Sequence, residues 1–480
     1  MKHDYQAIVI GAGAGGLVVA IGLGRAGKRV LLIDKGTWGG DCTNFGCVPS
    51  KSLIAASHIA HHIKDPSPWG IKAESPKFNA DGALERTRQI VKQIRSHEEP
   101  VGLKENGVET LEGVATFVDP HTLQVALTGG GERRVSGAFI VIATGSYPAY
   151  PHRVKGIENV PFVTNETIFD LERIPKRMVV MGGGPIGCEL GQAFSRLGSQ
   201  VTITQHNVGL LMKEEPEVRE LLQEAFEKEG IECLIEWEVQ EAAKEGGEIV
   251  LKAVHKRTGE SRALRCDVLV SAAGRRPNLE KLKLENVGIE TPKKGLETDA
   301  YGRTKHKHIY AIGDATHSYP FTHMAENQGR AVLTSLLIPG PFGKKLDRAQ
   351  AVPKVTYTSP EVASAGMTSA EAIEQYGKGR VAIYKVPMAK VDRAICAGET
   401  AGIIIVVTKK WSGKILGCTI MASRAGEMLQ ELTCAMQNGI SIKKLAKLIH
   451  PYPTFSLGIR AAADKWLTET VIPLFHKSKS

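Results

Sequence analysis

The feature that most constrains the fold is a glycine-rich turn between an apolar strand and a helix. The first copy runs through a strand at 7–10, the turn at 11–16, a helix at 17–26, a strand at 29–33 and then Asp34. This order is typical of a dinucleotide-binding βαβ unit. Gly11 permits the tight turn, Gly13 lets the backbone approach a pyrophosphate, and Gly16 lets the helix pack on the strand. We expect phosphates at the helix N-terminus and a ribose on Asp34.

A second copy of the same pattern follows later in the chain. It runs through a strand at 177–181, a turn at 182–187, a helix at 188–197 and a strand at 200–204. Gly182, Gly184 and Gly187 stand in the three glycine roles, and Gln205 occupies the place of the acid. Two such units predict two bound dinucleotides, most simply a flavin and a nicotinamide.

Three further apolar strands end in small residues and therefore predict additional ligand contacts at the carboxyl edges of the sheets. They are 139–142 before Thr144 and Gly145, 268–271 before Gly274 and Arg275, and 309–312 before Gly313 and Asp314. From about residue 350 the texture changes. β-Branched stretches such as 403–407 and helices such as 425–438 indicate an α+β cap domain, with 344–348 as its linker.

Composition excludes several other classes of protein. The 480 residues carry a formal net charge of +10 with Lys and Arg interspersed with acids, so we expect a solvated basic surface and no nucleic-acid partner. Neither a secretory signal nor an apolar run typical of a membrane span is found. Eight cysteines are too few for a disulfide framework, so we expect a cytoplasmic protein.

Cys42 and Cys47 form the one closely spaced cysteine pair. Four intervening residues let a small loop bring the sulfurs together. Pro49 stands where a helix would begin, so Cys47 is expected near a helix N-terminus, which favours a thiolate. The alternative, two buried structural cysteines, stays open on spacing alone.

The segment 39–51, GGDCTNFGCVPSK, resembles the redox-active disulfide motif of the FAD-dependent pyridine nucleotide–disulfide oxidoreductases. This family includes dihydrolipoamide dehydrogenase, glutathione reductase and mercuric reductase. Only Asp41 departs from the motif, since many members have Thr there. The resemblance extends over essentially the whole chain and implies FAD and NAD(P)H as cofactors.

The resemblance also implies roles for individual residues. Cys47 would face the flavin and Cys42 would be the exposed interchange thiol. Lys51 would lie beside the flavin N5 with Glu189 as its ion-pair partner, although Glu189 taken alone reads as an ordinary helix surface charge. The remaining cofactor contacts implied are the main chain of Ala115 to the adenine, and Asp314 to the ribityl chain.

The acid/base position departs from the commonest family pattern, a His followed by Pro-Thr-x-Ser-Glu. Aligning Pro-Thr-x-Ser places Tyr452 at the His and Leu457 at the orienting Glu. Because the ordinary pKa of Tyr is about 10 against about 6.5 for His, Tyr452 would be a poor base. His450 is expected to be a surface or capping residue, or alternatively to reach the dithiol from two residues away.

In having Tyr at this position, the chain resembles mercuric reductase. Those enzymes carry a pair of cysteines near the C-terminus, whereas no cysteine follows Cys434 in this chain. We therefore predict a mercuric-reductase-like homodimer that transfers electrons from NAD(P)H through FAD to Cys42–Cys47 and on to a disulfide, metal-ion or quinone acceptor. The alternatives are a dihydrolipoamide dehydrogenase, or a flavin-containing redox sensor with little turnover.

The predicted fold is α/β, with two doubly wound Rossmann-like nucleotide-binding domains and a C-terminal α+β dimerisation domain. The predicted division is 1–150 and 281–348 for FAD, 151–280 for NAD(P), and 349–480 for dimerisation. For the nicotinamide nucleotide, Gln205 with donors on His206 and Arg196 favours NADPH, although Arg196 taken alone reads as a surface helix residue. Gly187 as the third glycine favours NADH, and the balance leans to NADPH.

Overall fold

The computed structural model of the protein describes residues 3–72, 79–317, 319–338, 345–346 and 351–476. In chain order, the strands are β1 (Tyr5–Ile10), β2 (Val30–Asp34), β3 (Val108–Asp119), β4 (Thr122–Leu127), β5 (Glu132–Ile142), β6 (Ser146–Pro148), β7 (Arg177–Met181), β8 (Gln200–Gln205), β9 (Glu232–Ile235), β10 (Trp237–Glu245), β11 (Glu248–His255), β12 (Ser261–Cys266), β13 (Val268–Ser271), β14 (Arg275–Pro277), β15 (Ile309–Ala311), β16 (Lys354–Thr356), β17 (Glu361–Gly366), β18 (Val381–Pro387), β19 (Ile403–Lys409) and β20 (Ile415–Ala422).

The α-helices lie between and after the strands, singly or in groups, with four in succession between β2 and β3. In chain order they are α1 (Ala14–Arg25), α2 (Gly40–Asn44), α3 (Cys47–Lys64), α4 (Gly82–Arg95), α5 (Pro100–Glu105), α6 (Pro185–Leu197), α7 (Pro216–Lys228), α8 (Thr322–Leu337), α9 (Ser369–Tyr376), α10 (Asp392–Ala397), α11 (Ala425–Gln437), α12 (Ile442–Leu445), α13 (Leu457–Lys465) and α14 (Ile472–His476). None of the described helices is both long and apolar enough to cross a membrane.

The first unit is built on a parallel sheet whose buried strands are almost entirely apolar. β1 pairs in parallel with β2 and β5, β2 pairs with the start of β3, and β5 pairs with β15. β4 joins the far ends of β3 and β5 as an antiparallel meander. Strands from 1–150 and from 281–348 therefore share one sheet. Val9, Leu32 and Ile140 are fully buried in it, as expected of a parallel sheet covered on both faces.

The second unit repeats this plan. β13, β7, β8 and β9 form a parallel sheet, and β10, β11 and β12 form an antiparallel meander beside it. The two glycine turns lead into α1 and α6, which begin three residues earlier than the sequence predicted. Gly13 and Gly184 are the N-cap residues of these helices. The earlier start places the later glycines inside the first turn, where α6 also has Pro185, a residue suited to a first helical position.

The third unit is an antiparallel five-stranded sheet in the order β16-β17-β20-β19-β18. α11 and α13 pack on it through residues such as Leu429, Leu432 and Ile459, which are almost fully buried. The α+β character predicted from residue 350 onward is confirmed. Of the predicted linker at 344–348, only 345 and 346 lie within the described residues.

The first two units meet where the candidate site lies. α3 of the first unit packs against α6 of the second. β6 pairs with β14, so that Arg275 lies opposite Pro148. The segments around Cys47, Glu189 and Arg275 are brought together by these two contacts.

Candidate active site

Cys42 and Cys47 lie on consecutive helices and interact directly. Cys42 is on α2 and Cys47 is the first residue of α3, and neither is in a disulfide bond. A hydrogen bond from the Cys42 thiol lowers the pKa of Cys47, against the effect of burial; the Thr322 hydroxyl, 3.4 Å from Cys47 Sγ, and the charge of Lys51 lower it further. The same bond and burial raise the pKa of Cys42. Negative charge on the pair is therefore favoured on Cys47, and the proton is favoured on Cys42.

Lys51 lies one helical turn beyond Cys47 and is paired with Glu189. Lys51 Nζ donates to Glu189 Oε2 at 2.7 Å, and the Glu189 side chain is only 7% exposed. Glu189 Oε1 accepts a 2.9 Å hydrogen bond from the backbone N–H of Tyr357, whose ring lies 4.4 Å from Lys51 Nζ. The ion pair implied by the family resemblance is thus present, and Glu189 is not a surface charge.

Asp41, the departure from the family motif, has a specific partner. Arg275 donates to Asp41 Oδ1 at 2.9 Å and to Asn165 Oδ1 at 3.2 Å. Arg275 also donates to the hydroxyl and the carbonyl of Ser146, at 2.8 and 3.0 Å. Ser146 Oγ in turn donates to Asp314 Oδ2 at 2.6 Å. Arg275, which the sequence predicts as a cofactor contact, links the cysteine loop to β6 and, through Ser146, to Asp314.

The first glycine turn has the geometry that a dinucleotide requires. Gly11 has φ +105°, and a Cβ there would lie 2.3 Å from the carbonyl oxygen of Ala143. A Cβ on Gly16 would lie 1.9 Å from the carbonyl oxygen of Gly11, whereas one on Gly13 would meet only Gly40 Cα at 3.9 Å. Gly13 therefore leaves its backbone accessible. Thr144 Oγ1 is buried without a hydrogen-bond partner among the described residues, as expected of a group that a ligand would satisfy.

Asp34 is buried at the end of β2 and organises the turn. Its carboxylate accepts hydrogen bonds from the backbone N–H groups of Ala12, Gly36 and Thr37. Because a carboxylate offers about four acceptor sites, roughly one remains for a ribose hydroxyl. Ala115 is buried in β3, in register with Val125.

The other two predicted glycine contacts lie at sheet ends. Gly145 has φ +69° and faces open space, and Gly313 has φ +65° and donates its N–H to Gln328 Oε1 at 2.7 Å. Burial raises the pKa of Asp314, as expected for a carboxyl group enclosed near the end of β15.

A cavity of about 200 Å³ lies at the N-terminus of α6, at the position predicted for the nicotinamide nucleotide. Gly182 has φ +115° and packs against Ala272, whereas a Cβ on Gly184 or Gly274 would meet nothing within 4 Å. Ser271 Oγ is buried without a hydrogen-bond partner in the described part of the chain. The lining residues are Pro148, Asn165, Gly184, Pro185, Ile186, Ser271, Ala272 and Gly274.

At the adenosine end of this site, one of the predicted donors to a 2′-phosphate is engaged by another side chain of the protein. Arg196 is buried and donates through Nε and a terminal nitrogen to both carboxylate oxygens of Glu229, at 2.7 and 2.6 Å. It is therefore not available to a 2′-phosphate, and the prediction of Arg196 as a donor was wrong. Gln205 is buried beside Gly183, and His206 is exposed next to it.

The two candidate acid/base residues have opposite environments. Tyr452 is 73% exposed and its hydroxyl donates to Asp392 Oδ2 at 3.0 Å, a bond that raises its pKa. The His450 side chain is only 7% exposed, with Nε2 3.0 Å from Glu431 Oε1 and Nδ1 3.3 Å from the carbonyl oxygen of Leu448. Both ring nitrogens of His450 therefore face acceptors within its own chain.

Sequence reasoning missed several residues that the fold brings to the site. Ser146 directly follows the predicted Thr144 and Gly145, so the position of its hydroxyl could have marked it as a site residue. Ser271 ends the predicted strand 268–271, so its position could likewise have marked it. The others come from distant positions with no local motif to mark them, and they are Asn165, Thr322, Tyr357 and Asp392.

Two family models match the chain. Residues 5–329 match the pyridine nucleotide-disulphide oxidoreductase model, and residues 352–463 match the dimerisation domain of the same family. Together these matches cover most of the chain, including both glycine turns and the cysteine pair.

The similar proteins span nearly the full chain. A mercuric reductase from Streptomyces lividans is 33% identical, with 97% of each chain covered. A dihydrolipoamide dehydrogenase from Chaetomium thermophilum is 34% identical, with 96% of this chain and 91% of the relative covered. The Cu(II) complex of the flavoprotein disulfide reductase RclA from Escherichia coli superposes with a TM-score of 0.85 at 25% identity, covering 97% of this chain and 99% of that one. The chain therefore belongs to the pyridine nucleotide–disulphide oxidoreductase family, whose members use FAD and NAD(P)H.

Proposed function

We propose that this protein is a mercuric-reductase-like enzyme that passes electrons from NADPH through FAD to the Cys42–Cys47 pair and on to a thiophilic metal ion. One observation carries the choice of acceptor. The Cys42 and Cys47 sulfurs interact directly with negative charge favoured on Cys47, while the residue that aligns with the family's acid/base His is Tyr452.

The geometry described above supports a proposal for the cofactor sites. Gly11, Gly13 and Gly16 with Thr144 would hold the FAD pyrophosphate, Asp34 its ribose, and Asp314 its ribityl chain. The cavity at Gly184 and Gly274, with the unpartnered Ser271 hydroxyl, would hold the nicotinamide nucleotide. When bound, FAD supplies the two-electron chemistry that links the nicotinamide to the cysteine pair.

The residues of the chain control protons and charge at the sulfurs. Two-electron reduction of a Cys42–Cys47 disulfide yields two sulfurs, of which Cys42 takes a proton and Cys47 stays a thiolate. Thr322 and Lys51 favour that charge on Cys47. A divalent metal ion that binds both sulfurs displaces the Cys42 proton and requires no proton in return.

A disulfide acceptor has a different requirement, because its leaving thiolate needs a proton. The Tyr452 hydroxyl donates a hydrogen bond to Asp392, and this bond raises the pKa of Tyr452. Tyr452 is therefore a poor proton donor to a thiolate. General acid–base help is typically worth about 10²–10⁴-fold. We therefore expect lipoamide and glutathione disulfide to be slower acceptors by about that factor.

The test is NAD(P)H oxidation with lipoamide, glutathione disulfide, Hg²⁺, Cu²⁺ and a quinone as acceptors. Hg²⁺ or Cu²⁺ turnover should exceed that with either disulfide and should be lost in Cys42→Ser. Tyr452→Phe should leave flavin reduction by NAD(P)H intact. Lipoamide turnover at hundreds per second, dependent on His450 and unaffected by Tyr452→Phe, would contradict the assignment.

The same experiment distinguishes this proposal from a second candidate, a dihydrolipoamide dehydrogenase. The second candidate is supported by the similarity to the Chaetomium thermophilum enzyme, at 34% identity. In that case lipoamide would be the best acceptor. A redox sensor would instead show slow, incomplete reduction by NAD(P)H with every acceptor.

We propose NADPH over NADH. Arg196 does not support this choice, because its side chain is paired with Glu229. Gln205 carries no charge to repel a 2′-phosphate, and His206 is an exposed donor beside it. The ratio of kcat/KM for the two nucleotides, in wild type and His206→Ala, tests this. A tenfold preference for NADH in wild type would overturn it.

A homodimer is also proposed, on the basis of the dimerisation domain at 352–463. Around Tyr452 that domain exposes Ile449, which is 97% accessible, and Ile395, which is 54% accessible. Burial of such residues would drive association. Tyr452 of the partner subunit would then approach the cysteine pair.

A further inference from the structure

The third unit carries a cluster of cations that the proposed electron transfer does not use. It is formed by the turn after α9, the turn between β19 and β20, and the segment from α12 to residue 447. We call it the basic surface, and its members are Lys378, Arg380, Lys409, Lys410, Lys414, Lys443, Lys444 and Lys447.

Backbone and side-chain contacts join these segments into one surface. The N–H of Lys410 donates to the carbonyl of Arg380 at 2.9 Å. The N–H of Ile442 donates to the carbonyl of Gly413, also at 2.9 Å, and the side chain of Lys443 lies over Gly413. Trp466 Nε1 donates to the carbonyl of Lys410 at 3.0 Å.

No acid balances this charge within the segments concerned. Residues 376–391, 401–424 and 432–463 contain neither Asp nor Glu. Elsewhere basic residues commonly pair, as Arg177 does with Asp267, but the described residues show no ion pair to any of the eight cations of the basic surface. The sequence-based expectation that basic residues are interspersed with acids is therefore wrong for this part of the chain. Clustered like charges cost stability through mutual repulsion, which an anionic partner would relieve.

Three of the lysines make cation–π contacts with aromatic rings. Lys409 Nζ lies 4.5 Å from the ring of Tyr376, Lys443 Nζ lies 4.5 Å from that of Trp466, and Lys410 Nζ lies 5.3 Å from that of Trp411. Trp411 itself is 54% exposed at the tip of the turn. An exposed Trp is a side chain of the kind that is enriched among the anchors at the centres of protein-binding surfaces.

We infer that the basic surface docks an acidic segment of another protein, with an aromatic side chain of that segment packing on Trp411. A second copy of this chain does not fit, because a two-fold interface here would bring like charges together. Single-stranded nucleic acid fits less well, because successive bases stack on several aromatic side chains, whereas Trp411 is the one ring of these three that is exposed.

The probe is a fluorescently labelled random copolymer of Glu and Tyr, titrated with the FAD-loaded protein at low and physiological salt. We expect binding that weakens with salt and falls at least about tenfold in the triple variant Lys410→Gln, Lys414→Gln, Lys444→Gln. The matched control is Lys256→Gln, Lys293→Gln, Lys294→Gln, which removes three exposed lysines outside the surface and should bind within about twofold of wild type.

Two further arms test the class of partner. Trp411→Ala should weaken the Glu–Tyr copolymer more than poly-glutamate, which lacks the aromatic side chain. Absent binding, or equal loss in the two triple variants, would overturn the proposal. Tighter binding of single-stranded DNA or of phosphatidylglycerol vesicles through the same lysines would replace the acidic protein with those partners.

Discussion

The charge on Cys47 can be tested by changing the two members of one ion pair. Lys51→Met removes a cation that lowers the pKa of Cys47, whereas Glu189→Gln removes an anion that raises it. The two substitutions should therefore shift this pKa in opposite directions. General loosening of the site would instead shift both in the same direction.

The magnitude depends on the separation of the two charges, for which we take about 6 Å, because residues four apart on a helix, as Cys47 and Lys51 are on α3, have Cβ atoms about 5–6 Å apart. Two unit charges at about 6 Å interact by about 0.7 kcal/mol in water and about 2.8 kcal/mol at an effective dielectric constant of about 20. This corresponds to about 0.5–2 pKa units. Because the Lys51 side chain is 33% exposed, the lower half of that range is expected.

The assay is the pH dependence of alkylation of Cys47 by iodoacetamide in the reduced protein, read from its peptide by mass spectrometry. The exposed Cys396 and Cys434 are internal controls and should keep their profiles. Lys51→Met should raise the midpoint of the Cys47 profile by about 0.5–1 unit, and Glu189→Gln should lower it. Unchanged midpoints, or two shifts of the same sign, would refute the electrostatic account.

Three other substitutions test separate parts of the structure. Gly13→Val should abolish FAD retention, measured as flavin released on denaturation, because a side chain there blocks the backbone from a pyrophosphate; full retention would contradict it. Arg275→Gln should lower the free energy of unfolding in urea by about 1–3 kcal/mol by leaving Asp41 without its charged donor, whereas Arg276→Gln, at an exposed position, should change it by less than about 0.5 kcal/mol. Burial lowers the pKa of His58 from 6.5 to about 4, so the folded state binds fewer protons and stability, complete above about pH 6.5, falls as the pH drops toward 4. A His58→Gln variant should flatten that part of the curve by up to about 3 kcal/mol, and an unchanged slope would rule out His58 as its source.

Local patterns predicted the features that depend on neighbouring residues. The strand, glycine turn and helix at residues 5–25 and again at 177–197 follow from the backbone freedom of glycine and the apolar runs beside it. The helix beginning at Cys47 follows from Pro49 nearby. The Lys51–Glu189 pair came from family resemblance, because 138 residues separate the two and no local pattern connects them.

What the sequence did not predict depends on long-range packing. Arg196 looked like an available donor because Glu229 stands 33 residues away, and only the folded chain brings the two side chains together. His450 looked like a surface or capping residue, but α11 supplies Glu431 and the ring is buried against it. The basic surface was not predicted because its eight cations come from three segments that are separate in sequence.

The central claim is that Cys42 and Cys47 receive the electrons of the reduced nicotinamide. Its most direct test is differential alkylation after the anaerobic addition of one equivalent of NADPH to the oxidised, FAD-loaded protein. One hydride reduces one disulfide, so two thiols should become newly reactive, at Cys42 and Cys47, while the other cysteines stay unchanged. Full oxidation of the NADPH with no new thiol at these two positions would contradict the account.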